Sequence, residues 1–330
     1  MEYTRLGNSG LQVSRIALGC MSFGRPSAGR DWALDEDRAE PIFRTAVDLG
    51  ITFWDTANNY SAGSSEEITG AAIAKYTRRD HVVLATKLWA PVGDGPGGHG
   101  LSRRAVFEQV DASLRRLGTD YIDLYQIHRF DPDTPVEETM EALHDVVKAG
   151  KARYLGASSM WAWQFGKMQH AARLHGWTPF ISMQDQYHLL QREEEREMFP
   201  LLADQNVGSI PWSPLSGGFL TRPWGSDRPT ARGAESEARR RDIYGTPTIL
   251  DADKKVVDAV ERIGRDRGVS MAQVAMAWVL KNPVVDAPIV GATKTDHLVD
   301  AAAAVDLTLT AEEIKALEEH YTVRRPTYYQ

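Results

Sequence analysis

The chain has one cysteine, Cys20, which rules out an internal disulfide framework and a thiolate metal cluster. H-E-x-x-H is missing and the nine histidines show no tight ligand spacing, so no metal is expected. No apolar run reaches the length of a membrane span. The opening MEYTRLGNSG has neither the basic nor the apolar region of a secretory signal, and the expected compartment is the cytoplasm. Basic residues are in deficit. The 38 Lys+Arg against 45 Asp+Glu give a net charge of −7, which argues against a dedicated nucleic-acid binder but leaves room for one small phosphate pocket.

What is present is ordinary for a globular protein: 42% hydrophobic and 25% charged residues over 330 positions. At about 150 residues per domain this length suggests two domains, while a single α/β barrel of roughly 250 residues with insertions fits equally well. Short apolar runs decide between them. Ile16–Cys20, Ile51–Trp54, Val82–Thr86, Tyr121–Ile127, Tyr154–Ser158, Phe180–Gln184, Gly208–Trp212 and Pro288–Ala292 read as buried parallel strands. Helical patterns lie between them, at about 36–49, 65–76, 161–175, 194–206, 254–267, 270–281 and 310–320. Another helix opens at Ser102, with Leu101 placed to staple onto Val106, and stops at Gly118. A further one is expected to start at Thr134-Pro135, with Glu137 in the capping-box position, and to end at Gly150.

This rhythm, repeated about eight times without a break in composition, predicts one (β/α)8 TIM barrel of the α/β class spanning 1–330 as a single domain. Tyr3–Ile16, alternating around Asn8-Ser9-Gly10, predicts an N-terminal β-hairpin closing the bottom. Ser213–Leu250 predicts a long loop after strand 7. Gly93–Gly98 matches G-x-G-x-x-G by letter only: Leu88–Val92 separates it from the strand, Pro96 interrupts it, and the next helix begins near Ser102. It reads as a loop over the pocket mouth. Arg192–Glu197 (REEERE) reads as a solvated helix face.

In a barrel, chemistry gathers at the C-terminal ends of the strands. Those ends supply Asp55 with the following Tyr60, then Lys87, Gln126 with His128, Ser158-Ser159, Gln184 and Trp212-Ser213. Asp55, Tyr60, Lys87 and His128 form a coherent acid unit. A phenol ionises near pH 10, too high for efficient donation at neutral pH. An ammonium at about 4 Å favours the phenolate by up to roughly 4 kcal/mol at an effective dielectric of about 20. Asp55 can hold Lys87, and His128 can donate to a carbonyl oxygen or share the Tyr60 proton. Singly, each has a plainer reading: a helix cap, a loop anchor, a surface lysine, a core histidine.

The sequence resembles the aldo-keto reductases along nearly its whole length. The motifs that carry the resemblance are WDTANNYSAGSSEEITG (Trp54–Gly70), LATK (Leu84–Lys87), LRRLGTDYIDLYQIH (Leu114–His128), GKARYLGASS (Gly150–Ser159), PWSPLSGGFLT (Pro211–Thr221) and PIVGATKTDHL (Pro288–Leu298). The resemblance implies a barrel reducing carbonyls with NADPH, in which Asp55, Tyr60, Lys87 and His128 match the catalytic tetrad. It implies that Ser158, Ser159 and Gln184 meet the nicotinamide carboxamide and that Trp212 stacks on the ring. Ser213, Pro214, Leu215, Gly217 and Arg222 match the pyrophosphate loop. Gly291, Thr293 and Lys294 match the 2′-phosphate site, where helix N–H groups and a cation suit an anion. His297, Cys20, Met21 and Asp55 complete the cofactor set. Three positions depart from the family pattern: Ser159 replaces the usual Asn, His297 a frequent Gln, and Ala301 the Asn that commonly reaches adenine.

Phe23, Trp89, Arg129 and Trp161, with Tyr60 and His128, are expected to line a pocket for an apolar or ring-bearing carbonyl. Trp163 could line it or pack between outer helices. The tail Arg324–Tyr329 could fold over the opening. The expected partner is a small carbonyl compound, with no nucleic acid and no membrane, acting as a monomer or homo-oligomer. The alternatives are an NADPH-binding regulatory subunit with little turnover and a barrel lyase or isomerase without a redox role. The intact tetrad argues against the first, and Trp212 with Gly291–Lys294 against the second.

Overall fold

The computed structural model describes residues 1–25, 32–92, 95, 98–226, 241–242 and 244–327. Chain order gives a two-stranded hairpin, β1 (Tyr3–Arg5) and β2 (Gln12–Ser14), paired antiparallel with Tyr3 opposite Ser14. Eight parallel strands follow: β3 (Ala17–Gly19), β4 (Phe53–Asp55), β5 (Val83–Leu88), β6 (Ile122–Ile127), β7 (Ala152–Ser158), β8 (Phe180–Gln184), β9 (Gly208–Ser209) and β10 (Ile289–Gly291). They lie in the order β10-β3-β4-β5-β6-β7-β8-β9. The ring closes through parallel bridges from Ser209 to Val285 and from Trp212 to Ile289, where Ile289 N donates to Pro211 O at 2.8 Å. This is the (β/α)8 barrel expected from the β–α rhythm.

Around it run α1 (Glu36–Asp48), α2 (Ser64–Tyr76), α3 (Arg103–Leu117), α4 (Val136–Lys148), α5 (Ala162–His175), α6 (Met198–Gln205), α7 (Lys254–Arg267), α8 (Met271–Leu280), α9 (Thr295–Ala303) and α10 (Ala311–Glu318). Ser102 caps α3 by accepting from Ala105 N, and the neighbouring Leu101 and Val106 are both buried, as the staple requires. The start of α4 differs from expectation. Pro135, not Thr134, is the N-cap, and no side chain caps it. The Asp131 carboxylate takes the Thr134 hydroxyl at 2.8 Å and Leu101 N at 2.8 Å, so Thr134 serves the preceding loop.

Two apolar cores result. The larger lies between sheet and helices. The smaller fills the lumen: Ala17, Phe53, Ala85, Leu124, Ile210 and Ile289, with Leu6 and Val13 of the hairpin as a plug. The plug is fastened to β10's approach by Arg15, which donates to the carbonyls of Leu280, Val285 and Asp286. At Gly7 (φ 53°) any Cβ would stand 2.7 Å from Gly208 N and Ile181 O, so the hairpin can seat only with glycine there. Because side chains alternate along a strand, the inward Phe53 and Leu124 put Asp55 and Gln126 into the same lumen one step nearer the C-terminal mouth.

Candidate active site

Lys87 is fully buried, and its ammonium has three acceptors for its three protons: Asp55 Oδ2 at 2.5 Å, Thr56 O at 2.8 Å and the Tyr60 hydroxyl at 3.3 Å. Burial alone would push the ammonium toward neutrality. The Asp55 carboxylate and Tyr60 outweigh it and hold Lys87 above the ordinary lysine value. The His128 ring stands edge-on to Tyr60, with centroids 5.8 Å apart. All four tetrad candidates therefore meet at the strand ends.

Tyr60 is delivered by a strained turn. Ser61 and Ala62 hold φ of 47° and 53°, sparsely populated for residues with a Cβ. Trp89 (φ 111°), Ser159 (43°), Ser213 (53°) and Ser216 (52°) are strained in the same sense. All six lie in segments that follow strand ends on this face, which is where stored backbone strain accompanies function. Gln109 of α3 supports two of these segments by accepting from Trp89 N at 3.1 Å and from Asn58 Nδ2 at 2.7 Å.

The second oxygen of Asp55 meets two residues, one of which sequence reasoning left without a role. Asp55 Oδ1 accepts from Gln126 Nε2 at 2.9 Å and from Gln184 Nε2 at 3.1 Å, and Gln184 Nε2 also donates to Gln126 Oε1 at 3.1 Å. Asp55, Gln126 and Gln184 come from β4, β6 and β8, the alternate-strand layering of such barrels. The period-two alternation with Leu124 was the signal that could have pointed to Gln126.

The expected cofactor residues fall into two groups on the same face. Ser158 donates to Gln184 O at 2.7 Å, and its hydroxyl lies 3.3 Å from that of Ser159. Ser159 accepts the indole N–H of Trp212 at 3.0 Å, so the shorter residue at this position engages the aromatic ring. After Trp212, Ser213, Pro214 and Leu215 lead into a single 3-10 turn, Ser216–Gly218, which includes Gly217; Arg222 lies over Phe219. In the second group Lys294 is the exposed N-cap of α9, just after Gly291 and Thr293, and Thr293 N donates to His297 Nδ1 at 3.4 Å.

The model of the aldo/keto reductase family matches residues 15–322. The chain is 48% identical to the versiconal hemiacetal acetate reductase of Aspergillus parasiticus over 97% of both proteins. It is 46% identical to a putative aryl-alcohol dehydrogenase of Schizosaccharomyces pombe (97% of this chain, 95% of that one), and 44% identical to an aldo-keto reductase of Fusarium vanettenii (98% and 92%). The chain belongs to the aldo/keto reductase family. It is an oxidoreductase of the carbonyl-reducing kind, in a family that typically uses nicotinamide cofactors and acts on small carbonyl compounds. Among the described residues no helix is long and apolar enough to cross a membrane.

Some residues of this aldo/keto reductase sit elsewhere than their position in sequence suggested. Phe23 is fully buried, with its ring 4.5 Å from Phe43 of α1, so it packs the outer core and does not face a pocket. The Cys20 thiol is also in the outer core, and burial pushes it up to about 12, so any cofactor contact there falls to its main chain. Met21 is half-buried beside it. Trp89, Trp161 and Arg129 are half-buried at the mouth, and Arg129 donates to His128 O at 2.7 Å. Trp163 is 63% exposed and lies over Phe130, on the outside.

The REEERE run is not a solvated helix face. Glu193–Glu195 form a 3-10 turn and α6 begins only at Met198. Glu193 and Glu194 are buried, and Glu193 accepts from the Tyr321 hydroxyl at 2.7 Å and Arg324 N at 3.1 Å. The tail continues the anchoring: Arg324 pairs with Asp253, and Thr327 donates to Gln186, whose backbone bridges Trp212. The tail thus reaches the C-terminal end of the barrel strands as far as Thr327. Tyr328 and Tyr329 lie outside the described residues, as do most of Gly93–Gly98 and residues 227–240 of the loop after strand 7.

Proposed function

We propose that this chain reduces an aldehyde or ketone to the alcohol with NADPH, with Tyr60 as proton donor. The observation that carries the reading is the buried Lys87 ammonium, shared between Asp55 and the Tyr60 hydroxyl at a strand end beside His128. Bound at this face, reduced nicotinamide supplies a hydride for the carbonyl carbon. Tyr60 gives its proton to the carbonyl oxygen as the C=O π bond opens, and the ammonium at 3.3 Å stabilises the phenolate left behind. Asp55 keeps the ammonium in place, and His128 donates a hydrogen bond to the same oxygen.

The residues fit such a cofactor. Gln184 has both amide protons engaged by Asp55 and Gln126, which presents its carbonyl oxygen as the acceptor for a carboxamide N–H. Ser159 fixes the edge of Trp212, so that indole can serve as a stacking face. The first-turn N–H groups of α9 with the exposed Lys294 offer a dianion both hydrogen bonds and charge, which favours a 2′-phosphate and hence NADPH. Trp89 and Trp161 at the mouth favour a ring-bearing carbonyl, in keeping with the aryl-alcohol dehydrogenase among the relatives.

The test is a panel of aromatic aldehydes, aliphatic aldehydes and ketones, assayed by loss of reduced-nicotinamide absorbance with NADPH and with NADH. Turnover of aromatic carbonyls with NADPH is expected. Tight NADPH binding without turnover on any carbonyl would support a regulatory subunit instead.

A further inference from the structure

We propose that Gln126 is a positioning residue of this site, holding the Asp55 carboxylate in the one orientation that serves Lys87; the proposal rests on the reductase reading above. The default occupant of an inward position in a barrel is a branched apolar side chain, and Leu124, one step below, is such a residue. A buried amide is unfavourable there unless its polar atoms are bonded. Gln126 is fully buried and both ends are used: Nε2 donates to Asp55 Oδ1 at 2.9 Å, and Oε1 accepts from Gln184 at 3.1 Å.

The fold makes room for it. A Cβ built on Gly156, the β7 residue paired with Gln126, would lie 3.1 Å from Gln126 Cγ and 2.5 Å from Ser182 Oγ. The glycine leaves room beside the Gln126 side chain at Cγ.

The consequence for Asp55 is geometric. Two amide donors converge on Oδ1, so rotation about the carboxylate bond is blocked and Oδ2 stays on Lys87 at 2.5 Å. With Gln126 removed, Gln184 alone cannot fix the plane, and the ammonium that faces Tyr60 loses a rigid partner. Gln126 is the paired neighbour of Lys87 across the β5–β6 ladder, but its amide hydrogen bonds go to Asp55 and Gln184, so its polar effect on the ammonium runs through Asp55. The titratable groups around it are Asp55, Lys87 beside it on β5, and beyond these Tyr60 and His128.

Two near-isosteric variants test this in the full chain with the best carbonyl of the panel. Gln126→Met removes the donor to Asp55 and the acceptor for Gln184 and keeps the bulk. Its kcat should fall about 10- to 100-fold, the scale of a mispositioned acid. KM should stay within about threefold because the substrate pocket remains, while the NADPH Kd, read by tryptophan fluorescence, should rise by less than kcat falls, since Gln184 loses one of its two orienting bonds and keeps the one to Asp55.

Gln126→Glu places a second carboxyl against Asp55, and two such groups share one proton. Protonated, the new group donates as the amide does; ionised, it repels Asp55. Relative to wild type its kcat should be within about threefold at acid pH and fall by more than about thirtyfold on the alkaline side. Its folding stability in urea should drop over the same interval, because a carboxyl with a raised pKa in the folded state loses stability as pH rises through that pKa. Burial alone makes the new carboxyl titrate in the stability series, so the discriminating readout is kcat, which follows that ionisation only if position 126 acts on Asp55.

Gln126→Met at wild-type kcat, or Gln126→Glu with a pH profile that overlays wild type, overturns the positioning role while leaving the reductase reading intact. A wild type that turns over no carbonyl overturns both, and the stability series with Gln126→Glu then reports only a structural contact.

Discussion

Gly156 and Gln126 occupy paired positions on adjacent strands, and a Cβ on the first would press on Gln126 Cγ at 3.1 Å while meeting Ser182 Oγ at 2.5 Å. Gly156→Ala puts a methyl 2.5 Å from Ser182 Oγ, a distance real Cβ atoms do not tolerate. Overpacking of this kind destabilises by about 1–3 kcal/mol, against the small gain alanine usually brings over glycine in a strand. The urea midpoint should fall and kcat should fall with it. An unchanged midpoint would show that the lumen has space at this level.

Tyr60→Phe should keep NADPH binding and lose kcat by at least about 100-fold, since only the proton is removed. Lys87→Met should reduce kcat comparably and change its pH dependence, because the ammonium that bonds the Tyr60 hydroxyl is gone. A pH–rate series on one carbonyl distinguishes these outcomes, and a Lys87→Met profile overlaying wild type in height and shape would remove the lysine from the mechanism.

Lys294→Ala should weaken NADPH by about 1–2 kcal/mol, roughly tenfold, and leave NADH nearly unchanged, as expected for a charge-assisted contact to a phosphate that only the former carries. Equilibrium titration of both cofactors reads the ratio. Parallel weakening would place the phosphate elsewhere.

What the sequence made legible was local. The strand runs, the turn at Asn8-Ser9-Gly10 and the cap at Ser102 each depend on a few neighbouring residues, and each formed. Asp55, Tyr60, Lys87 and His128 met because strand ends of one barrel must converge. Misreadings arose where a distant partner decided. Glu193 looked solvated, but its partners Tyr321 and Arg324 lie about 130 positions along the chain. Phe23 follows a strand end, yet Phe43 draws it into the outer core. Thr134 had the right neighbours for a cap but was taken by Asp131. Gln126 stood in plain view at a strand end; its role needed Gly156, whose missing Cβ acquires meaning only once β7 lies beside β6.

Asp286 carries a pH dependence of stability. Burial raises its carboxyl from the ordinary value to about 6, against the pull of Gly7 N–H and Arg15. A carboxyl raised on folding contributes stability that is complete below its unfolded pKa and disappears as pH rises through about 6. The loss by pH 8 is on the order of 3 kcal/mol. Asp286→Asn should remove that slope: unfolding in urea at pH 5 and pH 8 should differ less for the variant than for wild type. Equal slopes would mean that Asp286 is not the titrating group.

The Arg324–Asp253 pair, almost wholly removed from solvent, should show the asymmetry of buried ion pairs. Arg324→Met leaves the Asp253 carboxylate uncompensated and should lower stability by about 3–5 kcal/mol, whereas adding Asp253→Asn should recover part of that loss. Urea unfolding of the two single variants and the double completes the cycle. Additive losses would contradict a direct pairing.

The strained residues of the mouth make the two ends of the barrel answer differently to mutation. At Ala62, Ser213 and Ser216, glycine relieves a backbone conformation that costs on the order of 1 kcal/mol, while also enlarging the unfolded ensemble by a similar amount. Melting temperature is therefore a poor guide to harm here: glycine variants can survive heating as well as the parent while the mouth loosens. At the plugged end, where Gly7 and Arg15 seat the hairpin, packing defects report directly as lost stability. A thermostability screen of this protein would accordingly see the base of the barrel clearly and be nearly blind to the rim at the C-terminal ends of its strands.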